Sequence, residues 1–143
     1  MEIAYVLFKT VDNPPWWMKV LQHDMYHCFF IKSCVIGDIE YFILFENNFN
    51  YISVDTKFLT LDQLVDAVRS DGMTIVRYEY EIDPHKRMPY YEPISCVTTI
   101  KRILGISDWK VQTPYQLYKK LINNGGKIWD QYSESETMEL MRE

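Results

Sequence analysis

The chain predicts an α+β domain built on an antiparallel sheet, and three observations lead there. Aromatic and β-branched residues fill positions 27–49 with a single break at Gly37-Asp38, a two-residue pair of the kind that closes a β-hairpin. Helical periodicity then opens on Ser or Thr caps at Thr60, Ser95 and Thr113. The order reads strand, hairpin, strand, helix, strand, helix, helix, which lacks the βαβα rhythm of a parallel sheet.

Taken in order, residues 3–8 are a short apolar run that predicts a first strand, ended by Asn13-Pro14-Pro15. Trp16, Trp17, Val20 and Leu21 follow at helix-like spacing. The hairpin pairs residues 27–34 with 41–48. Its Gly37-Asp38 turn sets a register in which opposed residues have numbers summing to 75, so His27 faces Asn48. Glu46 is then the diagonal neighbour of His27 on the same face. A one-residue slip would carry Glu46 and Asn48 to the other face.

Residues 51–56 read as a further strand. Thr60 caps a helix over Leu61–Ser70, with Leu61, Leu64, Val65 and Val68 as its apolar stripe and Gly72 as its stop. Residues 73–82 alternate as another strand, and 83–92, with two prolines and few core residues, form a loop. Ser95 caps a short amphipathic helix that starts at Cys96. A last helix opens at Thr113-Pro114 and closes at Asn124-Gly125-Gly126.

At 143 residues the chain holds one domain with a core, assigned to 1–132, and an acidic tail at 133–143 that frays or docks on a partner. A net charge of −5, with no Lys/Arg stripe, argues against nucleic acid as a partner. Three cysteines without framework spacing point to a reducing compartment. No basic leader with an apolar stretch, and no apolar run near ~18 residues, predicts export by a signal peptide or a membrane span. No cofactor motif is present. A zinc set from His23, His27 and Cys28 or Cys34 fails, because neighbours on a strand point to opposite faces and no CxxC pair completes it. His85, beside Lys86 and Arg87, reads as a solvated loop residue.

Chemistry enters at Cys96. The first helical position exposes unpaired backbone N–H groups and the positive end of the helix dipole, both of which favour thiolate over thiol. A cysteine nucleophile also needs a base and a group that orients the base. His27 fills the first role and Glu46 or Asn48 the second, while the Cys96 N–H contributes to an oxyanion hole. Each residue alone has a plainer account, since buried cysteines usually pack and a strand-start histidine often only satisfies the core. Trp16, Trp17, Tyr90 and Tyr91 line a groove for a peptide or glycan, or else cover the core. Lys101 and Arg102 read either as contacts for an acidic substrate or as the wet face of their helix.

The runs Tyr26-His27-Cys28-Phe29-Phe30, Phe42-Ile43-Leu44-Phe45-Glu46, Ser95-Cys96-Val97-Thr98-Thr99-Ile100-Lys101-Arg102-Ile103-Leu104-Gly105-Ile106 and Thr113-Pro114-Tyr115-Gln116-Leu117 together resemble small tailed-bacteriophage proteins. His precedes Cys, which is also the order in circularly permuted members of the NlpC/P60 papain-like superfamily. The resemblance implies a papain-like α+β fold with Cys96 as nucleophile, His27 as base and Glu46 as orienting residue. It further implies a hydrolase acting on an amide or ester, with peptide or cell-wall peptide as substrate, in the host cytoplasm or the virion. Glu46-Asn47 stands where those proteins tend to have Asp-Pro, so Asn48 is the alternative for the third role. The other reading that the resemblance implies is a non-catalytic virion protein, a head–tail or tail component that reuses the fold and binds neighbouring subunits.

Overall fold

Every residue from Ala4 to Phe8 is buried, because the strand that carries them lies inside the sheet with helices on both sides. The computed structural model describes residues 1–10, 13, 15, 16, 19, 20, 25–48, 51–57, 60–85 and 92–129, with Asn48 described by its backbone alone. Six strands, β1 (Glu2–Thr10), β2 (Met25–Ile36), β3 (Ile39–Asn48), β4 (Tyr51–Lys57), β5 (Thr74–Tyr80) and β6 (Lys127–Ile128), make one sheet. Its order is β4-β3-β2-β1-β5-β6, and all neighbours are antiparallel. This is the α+β class the sequence predicts.

Three helices among the described residues cover the sheet: α1 (Leu61–Ser70), α2 (Cys96–Leu104) and α3 (Pro114–Asn123). Each opens with a reciprocal capping box, formed by Thr60 with Gln63, Ser95 with Thr98, and Thr113 with Gln116. Alternation along β1 and β2 sorts the core into two clusters. Tyr5, Leu7, Phe29 and Ile31 meet Leu64, Val65 and Val68 of α1. On the other face Ala4, Val6, Phe8, Cys28 and Phe30 meet Val97, Ile100 and Leu104 of α2 and Leu117 and Leu121 of α3. Full burial of a side chain such as Phe8 or Phe30 stabilises the fold by roughly 1.5–3 kcal/mol.

The hairpin turn falls at Gly37-Asp38, with Gly37 at φ 62, and the register sums to 75 from Ile36↔Ile39 to Phe30↔Phe45. There the β2–β3 ladder stops. β2 stays with β1 as far as Met25, and β3 stays with β4 as far as Asn48, which pairs with Tyr51. The expected His27–Asn48 pair is therefore not made, and residues 25–29 and 46–48 form the prongs of a fork. A β-bulge between Lys9/Thr10 and His27/Met25 adds Tyr26 on β2 beside the fork, where extra twist re-aims the neighbouring side chains.

Two readings of single residues change. Lys101 is neither a substrate contact nor part of a wet face: it is 0% exposed, with Nζ donating to Glu92 Oε1 at 2.6 Å and to the Val111 carbonyl at 2.9 Å. Its head group turns inward from α2 because the end of the preceding loop supplies a buried carboxylate, so Glu92 belongs to the interior as well. The last strand, β6, is too short at Lys127–Ile128 to leave a periodic signal. Trp17, Leu21, His23, Lys86, Arg87, Tyr90, Tyr91 and the tail at 133–143 lie outside the described residues. Within the early segment, the Lys19 N–H donates to the Pro15 carbonyl at 3.3 Å, one helical turn.

Candidate active site in the fork between two strands

Cys96 is the first residue of α2, and Ser95 holds the helix tip from outside. Ser95 Oγ accepts from the Thr98 N–H at 3.1 Å, while Thr98 Oγ1 accepts from the Ser95 N–H at 2.8 Å and donates to the Pro93 carbonyl at 2.8 Å. Asn47, buried on β3, closes the clamp. Its Nδ2 donates to Thr99 Oγ1 at 2.9 Å and to the Ser95 carbonyl at 3.3 Å. The helix tip is thus fastened to one prong of the fork by a side chain that sequence reading passed over in favour of its neighbours Glu46 and Asn48.

The other prong receives the sulfur. A two-residue hairpin makes Ile36 and Ile39 a hydrogen-bonded pair, so every second residue of β2, namely Cys34, Lys32, Phe30 and then Cys28, turns its N–H toward β3. Since the ladder ends at Phe30, the Cys28 N–H has no strand to meet. It acts instead on the Cys96 sulfur at the tip of α2, whose thiol it helps to hold low.

That placement explains how His27 and Cys28, whose side chains leave β2 on opposite faces, both reach Cys96. Cys28 lies in the core cluster under α2 and α3, and His27 packs edge-on against Phe29 of the opposite face with ring centroids 4.8 Å apart. A sulfur at the open edge of the strand is within reach of both. The Cys28 thiol hydrogen-bonds with it, and so does the His27 imidazole. Glu46, on the face of His27, accepts from or pairs with His27 Nε2 at 3.2 Å through Oε1. With Nε2 engaged, Nδ1 is the nitrogen left to exchange a proton with sulfur.

The electrostatics follow from these contacts. Cys96 is held at about 4, far below an ordinary thiol. The hydrogen bond from the Cys28 thiol lowers it most, partial burial opposes, and the His27 imidazole and the Cys28 N–H lower it further. His27 is raised, chiefly by its hydrogen bond with Cys96, against burial and with help from Glu46. Cys28 is pushed well above the usual thiol range by burial first and by Cys96 second, so it remains a protonated donor. Both shifts favour a thiolate beside a protonated imidazole, with the Glu46 carboxylate on the imidazole's other side.

Three expected residues, Cys96, His27 and Glu46, are therefore brought together. The side chain of Asn48 lies outside the described residues, as do Trp17 and Tyr91, while Trp16 is 78% exposed. Sequence reading missed Cys28 and Asn47. Strand alternation, which argues against a zinc set of His27 with Cys28, does not keep both residues from acting on a third group at the helix tip. Among the described residues no group of three or more His, Cys, Asp or Glu is placed to hold a metal ion, and no helix is long and apolar enough to cross a membrane.

The chain is similar to a segment of the aspartate–tRNA ligase of Oceanobacillus iheyensis, with 26% identity over a 90-residue alignment that covers 56% of this chain. It spans 15% of the length of that curated relative. No family model matches the chain, and no solved structure matches it significantly.

Proposed function

We propose that this protein is a thiol hydrolase or acyl transferase of papain-like type, with Cys96 as nucleophile, His27 as acid and base, and Glu46 as the residue that orients His27. The observation that carries the reading is the arrangement of the three groups: Cys96 at a helix N-terminus, its thiol held low with help from the His27 imidazole, whose Nε2 meets the Glu46 carboxylate at 3.2 Å. Purely structural cysteines are pushed up by burial, as Cys28 is, and have no use for such a partner.

The chemistry proceeds in two halves. The Cys96 thiolate attacks the carbonyl carbon of an amide or ester, and the resulting oxyanion takes the N–H of Cys96, which at the first helical position has no intrahelical acceptor. His27 delivers its proton to the leaving amine or alcohol as the C–N or C–O bond breaks, leaving a thioester. Neutral His27 then takes a proton from water or an amine that attacks the thioester, and returns it to Cys96 as the sulfur leaves. Glu46 keeps the imidazole in one orientation throughout.

Peptide or cell-wall peptide is the substrate class we assign, with the permuted NlpC/P60 arrangement in phage-encoded proteins as the family it resembles. The test uses an activated thioester or nitrophenyl ester and a set of peptidoglycan fragments. Turnover that is lost in Cys96→Ala and His27→Ala supports the reading, whereas turnover that survives Cys96→Ala overturns it.

A non-catalytic role in a phage particle is the second reading, and one observation favours it. Among the described residues the outer strand β4 is an edge of the sheet and exposes Tyr51, Ile52 and Val54, which suits contact with a neighbouring subunit. A Cys96→Ala protein that still supports particle assembly, with no turnover in the parent, would favour it over the hydrolase.

A further inference from the structure

The mechanism above uses the Cys28 thiol only as a hydrogen-bond donor, yet its position suits a second kind of chemistry. The structure assigns to Cys96 and Cys28 a redox role: peroxide oxidises Cys96 to a sulfenic acid, and Cys28 captures it as a reversible intramolecular disulfide.

Geometry carries the inference. Both cysteines are free thiols, and Cys96 at the tip of α2 packs against the core cluster that contains Cys28, the side chain that acts most strongly on its sulfur. Their exposure is unequal in the useful direction. Cys96 is partly exposed, on the side from which a small oxidant would come, while Cys28 is 1% exposed and sits within the core. A sensing thiol is ordinarily an accessible thiolate next to a resolving cysteine, and these two residues meet that description. Cys34, farther along β2, makes no such contact with Cys96.

The steps balance with hydrogen peroxide as the oxidant. The Cys96 thiolate attacks one peroxide oxygen, the O–O bond breaks, and hydroxide leaves and takes the proton of the His27 imidazolium to become water. Cys96 is oxidised by two electrons and peroxide is reduced by two. Cys28 sulfur then attacks the sulfenic sulfur, the S–O bond breaks, and the Cys28 proton joins the departing hydroxide as a second water. Cys28 is a weak nucleophile while protonated, but contact between the two sulfurs replaces a bimolecular encounter with an intramolecular one. The disulfide removes the hydrolytic nucleophile, protects it from irreversible oxidation, and returns to two thiols with a dithiol reductant.

The inference shares its activated sulfur with the hydrolase reading but needs no substrate, so the two tests fail separately. Full-length protein carrying Cys34→Ser, to leave one possible pair, is treated with one equivalent of hydrogen peroxide, then denatured and alkylated for mass analysis. The expected product is about 2 Da lighter, takes up no alkylating agent, yields a linked peptide pair containing residues 28 and 96, and reverts with dithiothreitol. Adding Cys28→Ser should instead give a dimedone adduct at Cys96 and sulfinic acid there at least ~10-fold faster than in the parent. Cys28→Ala serves in its place if thermal unfolding shows that the serine variant does not fold. Sulfinic acid forming at Cys96 equally fast with and without Cys28, or no linked pair in the parent, overturns the proposal.

Discussion

His27 and Cys28 leave β2 on opposite faces of the sheet and nonetheless act on one sulfur atom, that of Cys96 at the tip of α2 beside the fork. The fork that makes this possible opens one residue pair after Phe30↔Phe45. The expectations below follow from that arrangement and from the groups that hold it.

Changing His27 to Ala should raise the apparent pKa of Cys96 without restoring an ordinary thiol, because both Cys28 donors remain. Iodoacetamide alkylation, followed from pH 3 to 10, reads this directly. If turnover is found, it should fall by roughly 10²–10⁴, the usual share of a general acid and base. Glu46→Gln should lose less, with kcat reduced more than KM is raised, since it orients the imidazole without meeting the substrate.

The pH profile has two limbs of known origin. Alkylation should fail as pH drops through about 4, where the Cys96 thiolate takes up its proton. Turnover should decline again above 6.5, at the raised value of His27, as the proton needed by the leaving group is lost. Stability carries matching signs. Cys96, depressed in the fold, contributes stability that is complete above its ordinary value near 9 and is lost as pH falls through about 4. His27, raised, contributes stability that is complete below 6.5 and is lost as pH rises through its folded value. Urea midpoints of the parent and of His27→Ala should therefore converge as pH is raised, and a gap that widens instead contradicts the assignment.

Asn47→Ala should loosen the helix tip. It strips Thr99 Oγ1 and the Ser95 carbonyl of a buried donor, a loss of about 1–3 kcal/mol. For a chain of this size that lowers Tm by roughly 3–10 °C. A change that only weakened the fold would leave Cys96 reactivity alone at low temperature. Here the alkylation pKa should also rise, because the sulfur is no longer pinned against the Cys28 N–H.

Lys101→Met should cost about 3–5 kcal/mol, the price of leaving the Glu92 carboxylate buried without its cation. Replacing both residues, as Lys101→Met with Glu92→Leu, should recover much of that loss in thermal melts. A double variant no more stable than Lys101→Met alone would mean that Val111 and the packing around the lysine stem, rather than the ion pair, set the energy.

The parts of the fold that were legible in the sequence are those set by local chemistry. The Gly37-Asp38 turn dictates the register of β2 and β3, and the capping residues Thr60, Ser95 and Thr113 each mark a helix start to the residue. The contact of His27 with Glu46 follows from strand alternation, which keeps residues 27 and 46 on one face even though the paired register ends at Phe30↔Phe45. The fork does not, because nothing in residues 25–29 or 46–48 marks the loss of pairing, which is fixed by how α2 docks. Lys101 was misread for a related reason: its partner Glu92 lies nine residues away in a loop, beyond the reach of a helical-face argument.

One donor in the site belongs to the main chain. Because the amide of residue 28 is present whatever side chain follows it, alanine scanning will understate what this position does for the nucleophile. An ester linkage in place of the 27–28 amide, introduced by semisynthesis, takes that proton away and leaves the side chain unchanged, so part of the position's contribution is hidden from alanine scanning.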